Sequence, residues 1–444
     1  MDPALLPVEL AAWIARLASP LHARSSWRLS LLWTGLLFAR ERRTVASWLR
    51  AAGIKVGWRS YYYFLHSFGR KVAFPAWRLL DLAIQLTPSG PRVLLALDDT
   101  PTKRFGPKVE GAGVHHNPTP GPAGEAFLYG HVWVTLALVA HHPLWGAVAL
   151  PVQALLYVRQ VSLALIPPWY QWQFKTKLEL AVELVKGAVS SSCLAGKTVW
   201  VVADGAYAKR PFLKPAMALG LVVVSRLRKD AALWSLPQPP APGEKRRGRP
   251  PKYGKQRIHL AGRAAHPYGW STGVFTLYGA PVTKTYKTFL AAYKPVGGVI
   301  RVVLVKEENS WVAFFCTQAE ASVAEVLEAV ADRASLEQTY HDLKEVHGAG
   351  QQQVRSIWSN IGAFHLTLWS YTLLELWAWD KKKEEICDRS NSPWDDAERR
   401  PSHADRLRTL RREALEQEFS RLPPIWRRKR KIRRLMEHLL DLAA

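Results

Sequence analysis

Apolar residues along the chain follow different rules in successive stretches. Up to about residue 88 they recur at helical spacing. In 42–70, "RRTVASWLRAAGIKVGWRSYYYFLHSFGR", Val45, Trp48 and Leu49 share a face, and a break at Gly53 precedes an aromatic-rich second helix around Tyr61–Phe68. Two short helices about a Gly turn, with Arg and Lys on their exposed faces, suit either a helix-turn-helix or an ordinary helical hairpin.

After Pro91 the pattern turns to α/β. Continuous apolar runs predict strands at 92–98, 130–140, 144–152, 198–204 and 220–227, with helices at 173–187 and 209–218. Three consecutive strands and then alternating helices and strands imply a mixed sheet with covered faces. The Gly- and Pro-rich stretch 104–125 reads as a long loop. From Ser235 the chain is Pro-rich and then basic, and β-branched runs at 272–279, 287–294 and 299–306 predict a β-rich insertion. A strand at 311–317 leads into one long helix over 319–346. A buried helix follows at 361–379, then a polar stretch near 381–405 and a basic helical end. The expected divisions are 1–88, 89–230, 231–310, 311–380 and 381–444.

Charge narrows the partners. Sixty-one Lys and Arg against 36 Asp and Glu leave +25. Such an excess attracts polyanions and gains from counterion release, so nucleic acid leads and an anionic membrane surface follows. No basic amphipathic anchor supports the membrane reading. The segment "IGAFHLTLWSYTLLELWAW" carries His, Ser, Thr and Glu, as a buried helix does rather than a membrane span. Met1–Pro20 lacks the pattern of a signal peptide. Three scattered cysteines give no zinc or disulfide spacing, which suits a reducing, intracellular setting.

The candidate chemistry lies in acids that end apolar runs. "LLALDDTP" finishes on Asp98 and Asp99, and "TVWVVADGAY" on Asp204. A strand emerging into a turn explains each singly. Two such strands side by side would bring their carboxylates together at a sheet edge, where α/β folds tend to place their sites, and a divalent cation would hold both ionised. In "DRASLEQTYHDLKEVHG", Arg333, Glu337 and Lys344 fall within roughly 40° of one another on a helix. That face offers a third carboxylate between two cations, or simply an exposed helix with routine ion pairs.

Together "LDDT", "VVADGAY" and the R-x3-E-x6-K spacing resemble the three motifs of DDE-type bacterial insertion-sequence transposases with an RNase H-like core. The likeness is to the subgroup with a β-rich insertion and a Tyr-Arg-Glu-Lys signature. The signature's Tyr falls at Val330, with Tyr340 nearby as a substitute. The D-x-T pattern selects Asp98 as a ligand, whereas strand register could point Asp99 inward.

The resemblance implies two Mg²⁺ ions, with Mn²⁺ able to substitute, held by Asp98, Asp204 and Glu337. It implies that Arg333 and Lys344 grip the DNA backbone. It further implies cutting of double-stranded transposon ends, joining of the 3′-hydroxyl to target DNA, a homodimer on paired ends, and a bacterial, cytoplasmic, nucleoid-associated setting. A domesticated, inactive DNA-binding protein is the alternative. In the basic linker, Arg247-Gly248-Arg249-Pro250 is similar to the centre of an AT-hook. With Lys252 it lies among seven Lys or Arg and no acid from Lys245 to Arg257. Such a stretch suits either a minor-groove contact or a solvated connector.

Overall fold

In the computed structural model, residues 5–88, 90, 92–116, 126–238, 251–387, 394–396, 398–421 and 430–443 are described. β1 (Arg92–Lys103) is buried on both sides over its first half, which is why Val93–Leu97 is continuously apolar instead of alternating. It runs antiparallel to β3 (Phe127–His142) and parallel to β5 (Thr198–Ala203). β2 (Gly113–His116), in the expected loop, pairs with β3 on one side, and β4 (Gly146–Tyr157) also pairs with β3. β6 (Val222–Leu227) lies parallel to β5.

The β-rich segment is no separate unit. β7 (Leu233–Trp234), β8 (Arg257–Ile258), β9 (Ser271–Leu277), β10 (Ala280–Tyr293) and β11 (Gly298–Lys306) continue the same sheet through β12 (Trp311–Cys316), which pairs with β6. The result is one mixed sheet of 12 strands. Three antiparallel strands, then two parallel ones and a returning helix, make this an α/β fold of the expected RNase H-like kind.

Helices surround it. α1 (Val8–Ala18), α2 (Ala23–Ser26), α3 (Arg28–Phe38), α4 (Val45–Ala51), α5 (Arg59–Gly69) and α6 (Ala73–Leu86) precede the sheet. α7 (Lys177–Val189), α8 (Arg210–Ala218) and α9 (Leu260–Ala265) interrupt it. After the last strand come α10 (Val323–Arg333), α11 (Ser335–Glu345), α12 (Ile357–Trp377), α13 (Lys383–Ile386), α14 (His403–Ser420) and α15 (Arg430–Ala443).

The chain between α4 and α5 spans 52–58, longer than the usual helix-turn-helix turn of about three to four residues. α5 buries Tyr61, Phe64, Leu65 and Phe68. It crosses α12 where a side chain at Gly69 would meet the Trp358 carbonyl at 1.8 Å. One apolar core thus runs from Trp33 and Phe68 through Leu95 and Val201 to Leu366.

The single helix expected over 319–346 is instead α10 and α11, broken at Ala334. The Ala334 N–H bonds to the Ala331 carbonyl, tightening the turn, and the Ser335 hydroxyl donates to the Asp332 carbonyl at 2.6 Å.

α12 is buried along its length, and among the described residues no helix is long and apolar enough to cross a membrane. Its Glu375 accepts from His403 Nδ1 at 2.6 Å and faces Arg406 Nε at 3.5 Å, both from α14. Burial pushes the Glu375 carboxyl up, but Arg406 and His403 together hold it at about 2. Removing one partner of a buried pair leaves the other uncompensated. Glu375→Ala is expected to cost about 3–5 kcal/mol, read as a lower urea midpoint.

Candidate active site

β1 and β5 set the first two acids. Their parallel register ends with Leu97 opposite Ala203, so Asp98 lies beside Asp204, which follows the end of β5. The strand expected to stop at 98 instead continues, paired with β3, to Lys103, and Asp98 and Asp99 are mid-strand. Asp98 Oδ1 accepts from the Asp99 N–H at 2.8 Å. Asp204 caps a short 3-10 turn, accepting from the Ala206 N–H at 3.3 Å, while Ser225 donates to its carbonyl.

The third acid arrives across the helix break. Arg333 ends α10, and its guanidinium reaches all three carboxylates. Nη1 is 3.4 Å from Asp98 Oδ2 and 3.8 Å from Glu337 Oε1, and Nη2 is 3.6 Å from Asp204 Oδ1. Burial increases inward: the Glu337 side chain is 74% exposed, Asp204 47% and Asp98 19%. Beneath them the Tyr340 hydroxyl bonds Thr135 Oγ1, whose own hydroxyl also reaches the Asp98 carbonyl. Val330 packs against the apolar core.

Asp99 has a different environment. Lys177 Nζ holds its Oδ2 at 2.7 Å and the Tyr207 hydroxyl donates to its Oδ1 at 3.1 Å. Of the two neighbouring aspartates, then, Asp98 is the one that joins Asp204 and Glu337. Lys344 sits about 10 Å further along α11 than Glu337, lining a cleft with Arg40–Arg43 and Lys103. Lys252 is exposed, whereas Arg247 and Arg249 lie outside the described residues.

Burial raises the Asp98 carboxyl to about 6, against the opposing pull of Arg333 and of the Asp99 N–H. A carboxyl raised in the folded state is penalised once it ionises. The cost appears as pH climbs from the ordinary value of 3.8 toward 6 and is complete above that. Asp98→Asn is therefore expected to stabilise the metal-free protein by about 3 kcal/mol at pH 8 and by much less at pH 4, compared by urea unfolding in EDTA.

Among the described residues no three His, Cys, Asp or Glu side chains form a ready metal-ligating group as they stand. The chemistry of the donor set nevertheless fits a hard divalent cation. The three carboxylates offer only oxygen ligands, one is desolvated, and all converge on a single positive charge. Arg333 was readable in the sequence as a DNA contact, but nothing in its spacing foretold a position central to all three acids.

An RNase H-like sheet that carries Asp98 within β1 and Asp204 just after the neighbouring parallel strand, with Glu337 on a returning helix, is compatible with a nuclease fold. The profile of the DDE superfamily endonuclease family matches residues 16–288, and the chain belongs to that family of divalent-metal-dependent, DNA-acting enzymes. The match includes Asp98 and Asp204 and ends before Arg333 and Glu337. No curated protein matches the chain.

Proposed function

We propose that this protein is a DNA transposase of the insertion-sequence type, which cuts the ends of its element and joins the freed 3′-hydroxyl to target DNA. One observation carries the reading: Asp98, Asp204 and Glu337, from two strands and a helix, meet around one cationic group. Asp98 and Asp204 would hold Mg²⁺ or Mn²⁺ with Glu337. When bound, two such ions supply activation of the attacking oxygen and stabilisation of the leaving one.

The chain's own residues do the rest. The Arg333 guanidinium, within 3.4–3.8 Å of all three, offsets the mutual repulsion of the carboxylates. Its planar fork would also suit a phosphate of the bound strand. Asp99, clamped by Lys177 and Tyr207, holds the middle of β1 and so the direction of Asp98. Exposed Glu337 closes over the site from the rim. No protein nucleophile is needed. Below about pH 6 protons compete for Asp98, so cleavage falls with acidity there.

In the same reading the helical 1–88 segment and the basic linker with Arg247, Arg249 and Lys252 contact DNA outside the site, and two copies assemble on paired ends. The charge of +25 supports a polyanionic partner of this extent. The alternative, a domesticated DNA-binding protein without catalysis, draws on Arg333 as a permanent substitute for the cation. The two separate on a plasmid bearing the DNA that flanks the coding sequence. A transposase nicks it only with Mg²⁺ or Mn²⁺, whereas a binding protein shifts it on a gel and leaves it intact under every metal condition.

A further inference from the structure

Where β1 and α11 run on past the acids lies a cleft of about 790 Å³, lined by Arg40 and Arg42 from the α3–α4 connection, Lys103 from β1, Phe105, and Lys344 from α11. An adjoining cleft of about 410 Å³ shares Arg42 and Phe105 and adds Lys108 and Arg355. Arg40, Arg42, Lys103, Lys108 and Arg355 pair with no carboxylate among the described residues. Of the two acids present, Glu41 faces Arg50 at 3.9 Å. Phe105 is 71% exposed amid these cations, with the Arg42 guanidinium 5.6 Å from its ring centre.

The walls of the cleft are built rather than loose. Gln351 accepts from the Arg43 N–H at 2.9 Å, and Arg104 donates to the Gly350 carbonyl at 2.8 Å. Gly348 has φ +68°, and a side chain there would meet Arg43 at 2.4 Å, so the two walls approach only because no Cβ intervenes.

β1 and α11 each carry residues of both the acidic site and the cleft. Lys103 is about 17 Å from Asp98 along β1, and Lys344 about 10 Å from Glu337 along α11. At about 3.4 Å per nucleotide, a strand held at the acids reaches the cleft roughly three to five nucleotides on. A ring exposed between unpaired cations suits an unstacked base with phosphates on either side.

We propose that this cleft takes the DNA strand roughly three to five nucleotides from the scissile phosphate, with one base stacked on Phe105 and the backbone held by Arg40, Arg42 and Lys103. The position rests on the nuclease reading of the three acids, whereas the binding itself does not.

The test uses the full chain in EDTA with duplexes copied from the flanking DNA, carrying 2-aminopurine at successive positions. One or two adjacent positions are expected to change emission on binding. Phe105→Ala should abolish that change and weaken binding about tenfold, and Phe105→Trp should restore both. Arg42→Ser should lower the salt slope of binding by about one. The proposal is overturned if Phe105→Ala and Arg42→Ser bind within twofold of wild type with an unchanged salt slope, or if matching single-stranded RNA binds more tightly than the DNA. Lost affinity in these variants from a protein that never nicks DNA would retain the cleft and remove the nuclease reading.

Discussion

Asp204→Ala is expected to slow metal-dependent nicking of the flanking-DNA plasmid by at least about 10³-fold, while affinity for the same DNA stays within a few-fold. The magnitude follows from the chemistry. Removing a single group that stabilises charge in a water-poor site costs about 10²–10³, and Asp204 would also fix an ion that activates or stabilises a reacting oxygen. Affinity is spared because phosphate contacts by Lys and Arg dominate it. Asp99→Asn serves as the contrast. Its two carboxylate oxygens are held by Lys177 and Tyr207, so the change should perturb the middle of β1 and lower nicking by a smaller factor. Nicking by Asp204→Ala at the wild-type rate removes the catalytic reading.

Arg333→Gln should have opposite effects on two quantities. A guanidinium 3.4–3.8 Å from three carboxylates competes with any divalent cation for the same charges. A pair of unit charges at about 4 Å is worth about 4 kcal/mol at the effective dielectric of a protein surface, so even a fraction of this interaction shifts metal affinity measurably. Mn²⁺ binding without DNA, followed by titration calorimetry, should tighten at least about tenfold. Nicking should nonetheless fall about 10²-fold, because glutamine cannot grip a phosphate with a charged fork. Weaker Mn²⁺ binding by the variant would mean that Arg333 assists metal capture rather than yielding to it.

The two aspartates stood out in the sequence because each follows an unbroken apolar run, although in β1 the run ends at Leu97 while the strand itself continues to Lys103. Val93–Leu97 and Val199–Ala203 are apolar without alternation, and each run stops at a carboxylate. Glu337 was legible through its spacing from Arg333, although the helix carrying that spacing breaks between them. The break was hidden because Ala334 and Ser335 are ordinary helix residues, and it depends on local bonds to the Ala331 and Asp332 carbonyls.

The fate of the β-rich segment was equally hidden. Alternation in 271–306 marks strands but not their neighbours, and only the pairing of β11 with β12 joins them to the central sheet. The polar stretch before residue 405 disguised an anchor. His403 and Arg406 reach the interior only because Glu375 awaits them on α12, a partnership that no local pattern encodes.

The most direct test of three carboxylates sharing divalent ions is anomalous scattering from crystals of the protein grown with Mn²⁺ and end DNA. Manganese peaks are expected in contact with Asp98, Asp204 and Glu337, with the Arg333 guanidinium turned toward a phosphate. Manganese elsewhere, or no peak at the acids with Arg333 still among them, would contradict it.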